Sequence, residues 1–167
     1  LSSNVRPHKE HFPVSMTGNY LILQTTQLRG LIEDPSTADA LVFPEDEAES
    51  DLALDIDKSW HLIHFLLNGA TWEGTPPFGW VVLGGRELPN TDAGYGPYRV
   101  LEPEEVKSAS VALEKVAAEE LWSRFRLDVV RKADIYPSGW IGSGQERDYI
   151  LHHYRALQAH FARAASK

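Results

Sequence analysis

The chain has no cysteine. Disulfides, thiolate zinc sites, iron–sulfur clusters and cysteine nucleophiles are therefore excluded at once. It also lacks long apolar runs: no stretch approaches the ~20 residues that a membrane-spanning helix needs. Basic clusters are missing as well. Lys and Arg number 16 against 24 Asp and Glu, for a formal net charge of −8. The densest basic group is the scattered set Arg124, Arg126, Arg131 and Lys132. A nucleic-acid-binding surface needs clustered cations for phosphate contacts, so neither a nucleic acid nor a membrane is expected as a partner. Leu1–Ser15 has no apolar signal-peptide core, and together these absences predict a cytoplasmic protein.

Catalytic signatures are absent too. Gly84-Gly85 lacks the surroundings of a phosphate-binding loop. No G-x-S-x-G is present, so a nucleophile-elbow hydrolase has no support. Gly139, Gly142 and Gly144 with Ser138 and Ser143 form a loop ahead of a helix, where an anion could sit. A plain connecting loop accounts for the same residues.

What is present suits one globular domain. At 167 residues with 43% hydrophobic and 24% charged residues, the chain buries enough surface to fold without a metal or disulfide staple. No cofactor is expected. Leu1–Ser15 is polar and unpatterned, and the sole methionine, Met16, immediately precedes patterned sequence. Residues 1–15 are read as a flexible leader or non-native extension, and residues 16–167 as the domain.

Within that domain, Asn19–Gln24 reads as a strand and the next segment, through Glu33, as a short helix ended by Pro35. Lys58–Leu67 reads as a helix, with Asp57 or Asp55 as N-cap and Asn68-Gly69 as its stop. Trp80–Leu83 reads as a short apolar strand, and Tyr98–Leu101 as another. Glu102-Pro103-Glu104-Glu105 opens a helix, and Gln145–Ala165 forms a long amphipathic one with Ile150, Tyr154, Leu157 and Phe161 inward. Helices outnumber strands and do not alternate with them regularly. The expected class is α+β: a single compact domain with a small mixed sheet, several packed helices and a long C-terminal helix.

The string Leu54-Asp55-Ile56-Asp57-Lys58-Ser59-Trp60-His61-Leu62-Ile63-His64-Phe65 resembles the signature segment of the YfbM-like family, a bacterial group of unknown function. Gly18, Tyr20, Val82-Leu83-Gly84 and Ile135-Tyr136-Pro137 agree in order, so the resemblance spans Met16–Lys167. It implies a compact α+β fold and no activity. Asp57, Lys58, Trp60 and His64 match the family string, whereas His61 does not. Family members continue past the last helix into a glycine turn and a short strand, while this chain stops at Ala164-Ala165-Ser166-Lys167. The resemblance thus implies either a sheet that lacks this strand or an edge completed by a partner or a second copy, a possible homodimer.

One constellation carries chemical potential. Asp57, His61, His64 and Asn68 are spaced 4, 3 and 4 apart and share one helical face. Two imidazoles and a carboxylate, helped by Asp55, have the donor set for a divalent metal. A His oriented by Asp would equally serve as a general base. The same residues would also fill the polar face of an amphipathic helix with no further role, and His64 between Ile63 and Phe65 suits a buried histidine bonded to backbone. A metal is therefore not predicted. The second feature is aromatic: Trp72, Trp80, Tyr136 and Trp140 lie in or beside Gly/Pro-rich segments, with Trp60 on the signature helix. Such residues line ligand pockets or partner surfaces, or cap cores.

Two functions remain open. The leading one is a non-catalytic module that binds a protein partner or small ligand through Trp60, Trp72, Trp80, Tyr136 and Trp140. The alternative is a small hydrolase or transferase using Asp57, His61 and His64, with Asp55 and Tyr136 nearby.

Overall fold

The computed structural model describes residues 15–44 and 51–167. The expected leader, apart from Ser15, and the acidic segment at 45–50 lie outside the described residues. The described chain is α+β, with eight α-helices and four short strands.

β1 (Asn19–Leu21) pairs antiparallel with β2 (Ala53–Asp55), Tyr20 opposite Leu54. β3 (Arg86–Glu87) pairs antiparallel with β4 (Arg99–Val100). The strands thus form two separate antiparallel pairs, where a single mixed sheet was expected. Hairpin-scale pairing of this kind buries little by itself, and the helices supply most of the core.

α1 (Thr25–Glu33) and α2 (Ala38–Val42) pack with β3 and β4 around a minor core of Leu28, Leu31, Ala38, Leu88 and Val100. The main core is built from α3 (Trp60–Asn68), α4 (Phe78–Leu83), α5 (Pro103–Glu114), α6 (Ala118–Ser123), α7 (Leu127–Lys132) and α8 (Gly144–Ala165). Ile150, Tyr154 and Leu157 on α8 are fully buried; each aliphatic side chain so placed contributes roughly 1.5–3 kcal/mol. The Tyr154 hydroxyl donates to the Val116 carbonyl at 3.0 Å, fixing α8 against the end of α5. No helix among the described residues is long and apolar enough to cross a membrane.

Trp80–Leu83 is helical, not a strand: it lies in α4. A four-residue apolar run does not distinguish strand from buried helix by periodicity, and here tertiary fit decides. Gly79 crosses Gly74 so closely that a Cβ on Gly79 would stand 2.4 Å from the Gly74 carbonyl oxygen. That contact seats the first turn of α4 beneath the loop leaving α3. Gly84, at φ 75°, ends the helix.

α8 starts from a capping box. Ser143 Oγ accepts the Glu146 N–H at 3.2 Å, and Glu146 Oε2 accepts the Ser143 N–H at 2.9 Å. The same carboxylate oxygen accepts the amides of Gly142 at 2.6 Å and Ile141 at 3.1 Å. The anion position anticipated in this Gly/Ser loop is thus filled by the chain's own Glu146. Three charge-assisted bonds on one partly buried group lead us to expect that Glu146→Ala lowers unfolding stability by about 2 kcal/mol, with Glu146→Gln losing about half as much. Urea denaturation measures both; equal losses for the two variants would show that charge is irrelevant to the loop.

Candidate functional site

α3 determines where the predicted site residues go. The chain enters it through Gly18 and Ile56. Gly18 N–H donates to Asp57 O at 3.0 Å, and Ile56 N–H donates to Gly18 O at 2.9 Å. A Cβ at Gly18 would lie 2.8 Å from Ile56 Cγ1 and 2.9 Å from Trp60 Cβ, so only glycine permits this approach. Asp57 takes a positive φ of 49° at the turn, a conformation that costs a non-glycine residue free energy but is tolerated best by Asp and Asn. Neither Asp57 nor Asp55 caps α3. The Asp55 carboxylate accepts the Asp57 N–H at 2.6 Å, and Asp57 Oδ2 accepts the Tyr149 hydroxyl from α8 at 3.0 Å. Burial first, and then the Asp57 carboxylate, push the Tyr149 phenol above its usual range. Beside it, Tyr149 and His153 meet edge to face at 4.7 Å.

Within the Asp57–His61–His64–Asn68 stripe the two histidines do not face water, while Asp57 and Asn68 are half-buried. His61 is 2% exposed and His64 is fully buried, because the loop after α3 and the loop after α7 lie across them. Each ring is held by main chain. The Tyr136 N–H donates to His61 Nδ1 at 2.9 Å, which leaves the proton on Nε2, where it is donated to the Thr71 carbonyl at 3.2 Å. His64 Nε2 donates to the Glu73 carbonyl at 3.2 Å, and Asn68 Nδ2 sits 3.3 Å from His64 Nδ1. Asn68 also donates to the Phe78 carbonyl at 3.3 Å, tying α3 to α4. Burial lowers the pKa of both imidazoles, outweighing the backbone carbonyls that favour protonation. Two neutral histidines therefore bracket the 70–78 loop, with three ring nitrogens bonded to main chain and His64 Nδ1 beside the Asn68 amide. The His61 Nδ1 lone pair is occupied by the Tyr136 N–H, and that of His64 is buried against Asn68. Among the described residues no group of three or more His, Asp or Glu is placed to hold a metal ion.

The aromatic residues divide. Trp60, Trp72 and Tyr136 gather around His61. The Trp60 and His61 rings stack at 4.7 Å and 9°, Trp72 lies 4.7 Å from His61, and Tyr136 lies 5.9 Å from Trp60. Main chain completes the cluster: Met16 N–H donates to the Tyr136 hydroxyl at 3.2 Å, and Trp60 Nε1–H donates to the Met16 carbonyl at 3.1 Å. Trp72 forms the outer surface of this stack and is 59% exposed. Trp80 stays half-buried on α4, and Trp140 is buried with its ring 6.5 Å from Tyr149. Sequence reasoning missed Tyr149 and Glu146. The Ser143-x-x-Glu146 spacing is a capping-box signal that would have found the second; nothing local marks Tyr149 as the partner of Asp57, 92 positions away.

No curated protein matches the chain. Among solved structures, the Escherichia coli protein YfbM, itself described as a protein of unknown function, is similar in fold. The TM-score is 0.69 at 23% identity, over 90% of this chain and 94% of that one. Residues 14–167 match a family described as a domain of unknown function, DUF1877, and the chain belongs to that family.

Proposed function

We propose that the chain is a cytoplasmic, non-catalytic binding module that contacts a protein partner through Trp72. The observation that carries this reading is a largely exposed tryptophan whose ring is held by His61 and Trp60 beneath it. An indole fixed in this way loses little conformational freedom on contact, which favours binding, and tryptophan is the residue type most enriched among dominant interface contacts. Tyr136 and Trp60 extend the apolar area behind it. The alternative, a hydrolase or transferase working through His61 and His64, would need an accessible imidazole, whereas both rings are buried and three of their four nitrogens are bonded to main chain.

Trp72→Ala tests the proposal. The tagged chain and its variant are compared as baits in a cell extract by quantitative mass spectrometry. At least one protein retained by the parent should fall by roughly 30-fold with the variant, the loss expected for an interface anchor worth about 2 kcal/mol. Melting temperatures should stay close, because most of the Trp72 ring faces solvent. Identical retained sets at equal melting temperature would overturn the reading.

A further inference from the structure

The minor core carries a concavity of a different chemistry. It is an open surface depression of about 630 Å³ between α2 and the segment joining β3 to β4, lined by the exposed Asp39, Ala40, Phe43, Asp92 and Ala93 and the half-buried Tyr98. Its charge has one sign. Two carboxylates face a lining with no Lys or Arg, and among the described residues neither Asp39 nor Asp92 is ion-paired. The Tyr98 hydroxyl donates to Asp39 Oδ1 at 3.0 Å, so its proton already points at one acid. The Gly94 N–H donates to Asp92 Oδ1 at 2.8 Å, a bond that orients this carboxylate without neutralising it. Burial, the Asp39 bond and the charges of Asp39 and Asp92 raise the pKa of the Tyr98 phenol, as expected beside uncompensated negative charge.

The walls are aromatic. Phe43 is 72% exposed, the most exposed of the large apolar side chains among the described residues, and Tyr98 supplies a second ring. A hydrated inorganic cation would gain nothing from a phenyl face. An ammonium group bearing alkyl substituents gains from all of it: the ring faces attract the positive charge, the carboxylates neutralise it, and the alkyl surface covers Phe43.

We propose that this concavity binds an organic ammonium group, with Asp39 and Asp92 as counter-charges and Phe43 and Tyr98 as the aromatic walls. Either a free alkylammonium compound or the lysine side chain of a peptide presents that chemistry.

The test is an NMR titration of the full ¹⁵N-labelled chain with tetramethylammonium chloride. Sodium chloride at matched ionic strength controls for charge, and tert-butanol controls for shape. Saturable shifts are expected at the amides of Ala40, Ala93, Gly94 and Tyr98. Asp92→Asn and Phe43→Ala should each weaken binding by about tenfold. Phe43→Ala keeps the test decisive if an aspartate variant folds poorly, since that side chain is mostly in solvent. Capped lysine amide and its trimethylated form separate the sources. Tighter binding than tetramethylammonium assigns a peptide side chain, and weaker binding assigns a free ammonium. The proposal is overturned by the absence of saturation, by equal shifts with sodium chloride or tert-butanol, or by undiminished binding in Phe43→Ala.

Discussion

Gly79→Ala is expected to lower the melting temperature by about 6–12 °C, the shift that roughly 3 kcal/mol produces in a chain of this size. The added Cβ would stand 2.4 Å from Gly74 O and 2.6 Å from Gly74 C, and both are main-chain atoms with no rotamer to yield. Relief requires the loop after α3 to lift away from α4, which also pulls at the Asn68 bond to Phe78. Gly30→Ala is the internal comparison. That glycine is exposed within α1 with open space around its Cβ position, so alanine there should raise stability by up to about 1 kcal/mol through helix propensity. If the two substitutions shift the melting temperature alike, the close crossing at Gly74 does not hold α4 in place.

Acid is expected to destabilise the fold steeply below pH 6.5. His61 and His64 have folded-state pKa values lowered from 6.5, because burial disfavours the charged ring. Below 6.5 the unfolded chain therefore binds more protons than the native one, and stability falls with pH until the folded values are reached. Each ring contributes up to ~1.4 kcal/mol per pH unit within that window, so the pair contributes up to roughly 2.7 kcal/mol per unit. The hydrogen bonds give the direction a structural basis: a proton on His61 Nδ1 would oppose the Tyr136 N–H that donates to it. His153 and His160 are shifted in the same sense by burial and add to the slope. Urea midpoints measured from pH 7.5 to 5 should fall, and a His61→Gln/His64→Gln variant should show a flatter profile from a lower starting stability. A parent profile level across that range would mean that the two rings are not held neutral by the fold.

The sequence made α8 legible because its apolar residues recur along 22 residues and one face is buried. α5 was legible through Pro103 and its flanking glutamates, and the end of α3 through Asn68-Gly69, with Gly69 at φ 72°. α4 was not, because four apolar residues carry no period. What makes them a helix is a contact between two glycines five positions apart. The candidate site shows the same division. Spacing placed Asp57, His61, His64 and Asn68 on one side of α3, but said nothing of what lies over that side. The covering loops come from residues 69–77 and 133–137, and their carbonyls and amides, rather than solvent, meet the histidines. α3 is consequently buried on nearly every side, and an amphipathic reading could not anticipate that. Asp57 was read as an N-cap, whereas it sits in the turn ahead of α3 and accepts from Tyr149, a pairing that depends on how α8 returns across the domain.

The bonds that grip Met16 have a consequence for any study of the Trp72 face. Residue 16 is anchored by Trp60 and Tyr136, members of the same aromatic stack. Residue 16 therefore marks the rim of that stack, and a tag fused directly to it would act on the face at a local concentration on the order of millimolar. An aromatic tag so placed is a built-in competitor. An affinity measured with such a tag reports the outcome of that competition, and moving the tag to the other end of the chain separates the intrinsic affinity of the face from its tethered rival.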